Sequence, residues 1–205
     1  MTSVSVAMMG ERPALTLAGF GLISGILSAT LGFMFEPEWL EPIAHLFWLE
    51  SGMVPIGAFY GICLGLGIAL CTKRHWAAPL TLLTIMIAWS AAIHTAIAIV
   101  KLGDGAPDAP RNLLAGVAAG AIGAALTHLG VTPVAAGTRR LMGIGLTTVV
   151  GALCGALYCL EEMHLIPART LYVIWQPAVA FSIGLAMAGA PTGLEAAATS
   201  VPRQS

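Results

Sequence analysis

His94 lies inside a stretch, residues 77–100, that holds no charged side chain. An imidazole in such surroundings marks a proton step, a ligand to metal or haem, or a solute contact, because ionisable groups at membrane depth are expensive. A neutral ring costs less than a charge, and Ser90 one turn earlier, or Thr95 beside it, can satisfy it. Gln176-Pro177 is a second feature of this kind. Proline removes a backbone donor and clashes with the carbonyl four residues back, here that of Val173. A kink there is expected to face the bundle interior and carry the Gln176 amide with it, while Trp175 leans toward the outer interface. His94, Gln176 and Ser90 are thus the expected lining of a path for an ion or small solute. His128 lies toward the opposite end of its own segment, which argues against a haem held between the two histidines.

Carboxylates and imidazoles also meet in the loops. Glu41 and His45 are four residues apart, on one face if the segment is helical, and Glu161, Glu162 and His164 follow one another at a segment end. Such donors suit a divalent transition metal, so Glu41, His45 and His164 are the expected ligands; the plainer alternative is a solvated acidic rim. No catalytic residue is indicated. The phosphate loop GxxxxGK[ST], HExxH, the GxSxG elbow and a dinucleotide GxGxxG at a strand–helix junction are all missing, so the chain is not expected to be an enzyme. No cofactor beyond that metal is suggested. Cys63, Cys71, Cys154 and Cys159 sit in apolar segments without a CxxC spacing and read as packing residues.

The elements that position these residues follow from the charge count. Of 205 residues, 58% are hydrophobic and 9% are charged, against about 25% charged in soluble domains. Six windows free of formal charge, 13–35, 51–72, 77–100, 113–134, 141–160 and 170–190, have the length of about 20 residues that a hydrocarbon core requires. None carries the polar stripe of a soluble core helix, and none alternates like a barrel strand. The expected fold is all-α: a polytopic integral membrane protein, a bundle of six transmembrane helices forming one domain over 1–190. Residues 42–50 begin with proline, mix Ile43, Leu46 and Phe47 with His45 and Glu50, and predict a short interfacial helix between helices 1 and 2. Residues 191–205 are expected to be a disordered tail.

Orientation follows from the basic residues. Arg12, Lys73, Arg74, Arg139, Arg140 and Arg203 fall on one side with Glu11 and Glu195. Lys101, Arg111 and Arg169 fall on the other, with Glu36, Glu38, Glu41, Glu50, Asp104, Asp108, Glu161 and Glu162. Both termini are therefore expected to be cytoplasmic, in the plasma (inner) membrane, with an anionic outer mouth. Gly21/Gly25, Gly57/Gly61/Gly65, Gly116/Gly120 and Gly151/Gly155 form small-residue stripes, for packing within the chain, for a homo-oligomer or for another membrane subunit. Faint likeness between 13–100 and 113–190 would make an inverted repeat. The expected partners are the lipid bilayer and other membrane helices, not nucleic acid. The function expected first is a small transporter, or a transporter subunit, for an ion or small solute. The alternative is a non-catalytic membrane subunit or assembly factor.

Overall fold

Helices form where the charge-free windows lie. The computed structural model describes residues 13–32, 34, 38–103, 105 and 107–188; residues 1–12, Glu36, Asp104 and the tail 191–205 lie outside them. Along the chain run α1 (Pro13–Thr30), α2 (Glu41–Leu46), α3 (Val54–Thr72), α4 (Ala77–Leu102), α5 (Asp108–Val131), α6 (Leu141–Gly155), α7 (Leu157–Glu162) and α8 (Thr170–Ala188), with no strand among the described residues. Taking α6 and α7 as one unit, Leu141–Glu162, six helices are long and apolar enough to cross a membrane.

Their ends depart from the windows for local reasons. The fourth starts earlier, at Asp108, where an acidic residue suits a helix N-terminus and pairs with Arg111 across the first turn. The fifth is interrupted at Ala156, whose N–H is shared between the Ala152 and Leu153 carbonyls at 3.2 and 3.3 Å. The short helix ends at Leu46 rather than 50. Trp48 adopts a left-handed conformation (φ 53°), its N–H donates to His45 O and that of Leu49 to Ala44 O, which is a Schellman stop.

The six long helices close into a ring. Each packs on its neighbours in sequence, and the last returns to the first, α8 against α1, as the most extensive contact of all. Small residues permit this closeness. A Cβ on Gly25 would lie 2.6 Å from Tyr172 O, and one on Gly116 or Gly155 would overlap the other's carbonyl oxygen. Gly57, Gly61 and Gly65 in turn meet Trp89, Leu82 and Ala78 of α4. The glycine stripes are thus occupied within the chain and leave no smooth face there for a partner. Ala14 packs against Gly184, so α1 begins and α8 ends at the same end of the bundle.

Large apolar side chains cover the outside, and polar groups are buried among apolar ones inside. Leu15, Ile23, Leu70, Leu141, Met142 and Leu153 are exposed on the outside, while Ser24, Ser28, Thr147, Gln176, Ser182 and His128 are buried inside. Trp39, Trp48 and Trp76 are exposed near the two ends of the bundle.

Candidate functional site

Inside the ring, in the half nearer α2, lies a cavity of about 600 Å³. Its walls come from the first turns of α3, the second half of α4, the middle of α5, the α6–α7 junction and the first turns of α8. At its mouth stand His45, Trp48, Glu50 and His94, all exposed. Its floor is Ile85, Thr127 and Gln176, each no more than 2% exposed. Below the floor the ring is filled by Leu17, Leu64, Ile68, Val131, Val179 and Ile183.

The segment 45–53 covers one side of the mouth and is pinned by α4. Ser90 Oγ donates to Phe47 O at 2.6 Å, and Trp89 Nε1 donates to Met53 O at 2.9 Å. Leu40, Ala44, Leu49 and Val54 pack against Met86 beneath it. Ser90, expected on a solute path, does not line the cavity. It serves instead as an anchor for the cap, because its hydroxyl meets a carbonyl, that of Phe47, which the Schellman turn leaves without a backbone donor.

His94 lies on the cavity wall. Its Nδ1 is 2.8 Å from Ser90 O, an acceptor only, so the proton sits on Nδ1. Gln176 is at the floor, facing the interior as expected, but its amide is committed to α1. Ser24 Oγ donates to Oε1 at 2.6 Å, and Nε2 donates to Ser28 Oγ at 3.0 Å. Here α8 runs unbroken through Pro177.

Trp175 is corrected from interface anchor to core. It is 9% exposed, donates Nε1 to Gly151 O at 3.2 Å, and meets Tyr60 edge-to-face at 5.6 Å. One residue from Gln176 is about 100° around a helix, and in a ring with neighbours on both sides that rotation still points inward. Tyr60 was missed altogether. It lines the cavity and is 3% exposed, and its Oη is buried with no hydrogen-bond partner among the described residues. A lone hydroxyl-bearing ring in the window 51–72 was the available signal. Trp89 and Tyr172, edge-to-face at 5.9 Å, complete the aromatic wall.

The expected metal ligands do not converge. Among the described residues no group of three His, Cys, Asp or Glu side chains is placed to hold a metal ion. Glu41 and His45 share α2 and are exposed, but His164 occupies the left-handed position (φ 56°) of a second Schellman stop, after α7. Its place is set by backbone capping, a position histidine tolerates better than most residues. Glu161 likewise turns to α8, accepting the Leu171 N–H.

At the other end of the ring, His128 is fully buried rather than reaching solvent. Nε2 lies 2.8 Å from Thr138 O and must donate; Nδ1 lies 2.7 Å from Thr147 Oγ1, which in turn receives Ser182 Oγ at 3.1 Å. This chain ties α5, α6, α8 and the 136–139 turn together. It closes the end opposite the cavity mouth.

No known protein family, characterised relative or solved structure matches this chain. Its class rests on the geometry: a ring of six apolar helices around a cavity open at one end.

Proposed function

We propose that the chain is a polytopic membrane protein that moves a small solute through the centre of its helix ring. The observation that carries this reading is the 600 Å³ cavity, with His94 at its mouth and Tyr60 and Gln176 deeper within. Pockets of roughly 300–1,000 Å³ suit small organic molecules. Large apolar side chains on the outside, with polar groups kept to the interior, fit lipid as the surrounding solvent. Lys73, Arg74, Arg139 and Arg140 at the end opposite α2 support placing that end, with both termini, in the cytoplasm of a plasma (inner) membrane protein. The cavity then faces outward, and passage requires the His128-bonded end to part. The rival reading, a partner-binding subunit, calls for a smooth face on the outside of the ring, and the glycine stripes lie between its own helices.

The test is exchange. Proteoliposomes loaded with a mixture of small cellular solutes should lose particular members faster than protein-free liposomes, by mass spectrometry, and His94→Ala should slow that loss. Equal retention of every solute refutes the proposal.

A further inference from the structure

The cavity's chemistry restricts what it accepts. Six aromatic rings line it: Trp48, Tyr60, Trp89, Tyr158, Tyr172 and Trp175. The pairs Tyr60–Trp175 and Trp89–Tyr172 meet edge-to-face, with interplanar angles of 67° and 64°, so in each pair the edge of one ring rests against the face of the other. A ring face carries negative charge and attracts cations, the more so where water is excluded. Among the described lining residues Glu50 is the one carboxylate, and there is no Lys or Arg. The rim has the same sign. Glu38, Glu41, Glu50, Asp108, Glu161 and Glu162 lie at this end, against three described bases: Lys101, which is exposed, Arg111, which is paired with Asp108, and Arg169, which donates to Ala29 O at 3.1 Å. Such a rim raises the local concentration of cations.

Tyr60 supplies an independent observation. Several polar groups on the wall are taken: Trp89 by Met53, Trp175 by Gly151 and Gln176 by two serines. The Tyr60 hydroxyl is not, although it is buried. A buried hydroxyl without a partner is costly unless something else meets it, and the ring that carries this one lines the cavity.

We propose that the cavity binds an organic cation, an ammonium or phosphonium centre carrying apolar or aromatic groups. The aromatic walls take the apolar groups, and Glu50 attracts the charge at the mouth. Inorganic cations lack the apolar surface that would fill the cavity, and anions meet Glu50 and the ring faces unfavourably. The substrate class rests on the transport reading; the binding site itself does not.

The experiment uses tritiated tetraphenylphosphonium with the whole protein in detergent. Saturable binding is expected. Benzyltrimethylammonium should displace the label, and phenylmethanesulfonate, similar in size but anionic, should not. Glu50→Gln, at an exposed position, should weaken binding by about tenfold with an unchanged melting temperature. Tyr60→Phe should melt no lower than the wild type, because it removes an unpartnered hydroxyl. Absence of saturable binding, equal displacement by the anion, or undiminished binding by Glu50→Gln each overturns the cation assignment. Uptake of labelled benzyltrimethylammonium into proteoliposomes, beyond that into protein-free liposomes, separates the two readings. Binding with charge preference but no uptake leaves the cation site standing and removes transport; exchange of other solutes without tetraphenylphosphonium binding does the reverse.

Discussion

Gln176 is the joint between the first and last helices of the ring, and replacing it by leucine measures what closes that ring. The substitution preserves side-chain size and deletes two hydrogen bonds, to Ser24 at 2.6 Å and to Ser28 at 3.0 Å. Hydrogen bonds between membrane helices contribute about 0.6 kcal/mol on average and up to about 1.7. Neither serine is orphaned, since Ser24 still reaches Gly21 O at 2.8 Å and Ser28 faces Ile56 O at 3.4 Å. The expected loss for Gln176→Leu is therefore about 1–2 kcal/mol, without the further penalty of an unsatisfied donor. Gln176→Ala should cost more, about 2–4 kcal/mol, because it also opens a cavity against α1. Reversible unfolding by SDS titration in mixed micelles reads both values. In a Ser24→Ala, Ser28→Ala background the cost of Gln176→Leu should fall by about 1 kcal/mol. Unchanged stability in Gln176→Leu, or the same loss with and without the serines, refutes the argument that this amide fastens α8 to α1.

Three further expectations follow from other seams. Gly155→Val puts methyl groups into the Gly116 carbonyl across α5 and α6, and should lose most folded protein in size-exclusion profiles, whereas Gly145→Ala, with open space around it, should elute like the wild type. His128→Ala leaves Thr138 O without its side-chain partner, removes one of the partners of Thr147 Oγ1 and adds a void; a loss of about 2–4 kcal/mol in the same SDS titration is expected, and a wild-type midpoint contradicts a structural role. Reporter fusions after Ser205 and within 104–110 should report opposite sides of the membrane, the first cytoplasmic; the same side for both contradicts the six-span reading.

How far the sequence carries this far is uneven. The helices were legible because charge is costly in hydrocarbon, so Lys101, Glu50 and Arg169 bracket segments whose apolar length alone declares them. The inward face of Gln176 was legible for the same reason. The cavity was not. Its walls are Ala, Gly and aromatic residues drawn from five segments, and composition does not say whether glycine brings helices together or leaves room between them. Gly116 and Gly120 show the difficulty, since both approach α6 and line the cavity. Trp175 misled because tryptophan favours membrane interfaces, yet a ring partner and a backbone acceptor kept it inside. His164 and Glu161 looked like ligands because residue type does not reveal that backbone capping had already assigned them. Ser90 was linked to His94 by spacing, and that contact exists, but its hydroxyl answers to a cap whose path no local pattern foretold.

The central claim, a solute path through the ring, is tested most directly by the accessibility of the cavity wall. Ala88 lines the cavity and is 1% exposed. It would be changed to cysteine in a chain whose Cys63, Cys71, Cys154 and Cys159 are replaced, and probed in sealed vesicles of each orientation with a small, membrane-impermeant thiosulfonate. The account predicts modification from the α2 side and, more slowly, from the opposite side as the far end parts, while Leu153→Cys on the outer surface of the ring stays unmodified. Labelling of Ala88→Cys from the α2 side alone contradicts transport and leaves a binding cavity; labelling from neither side contradicts the solvent-reached cavity itself.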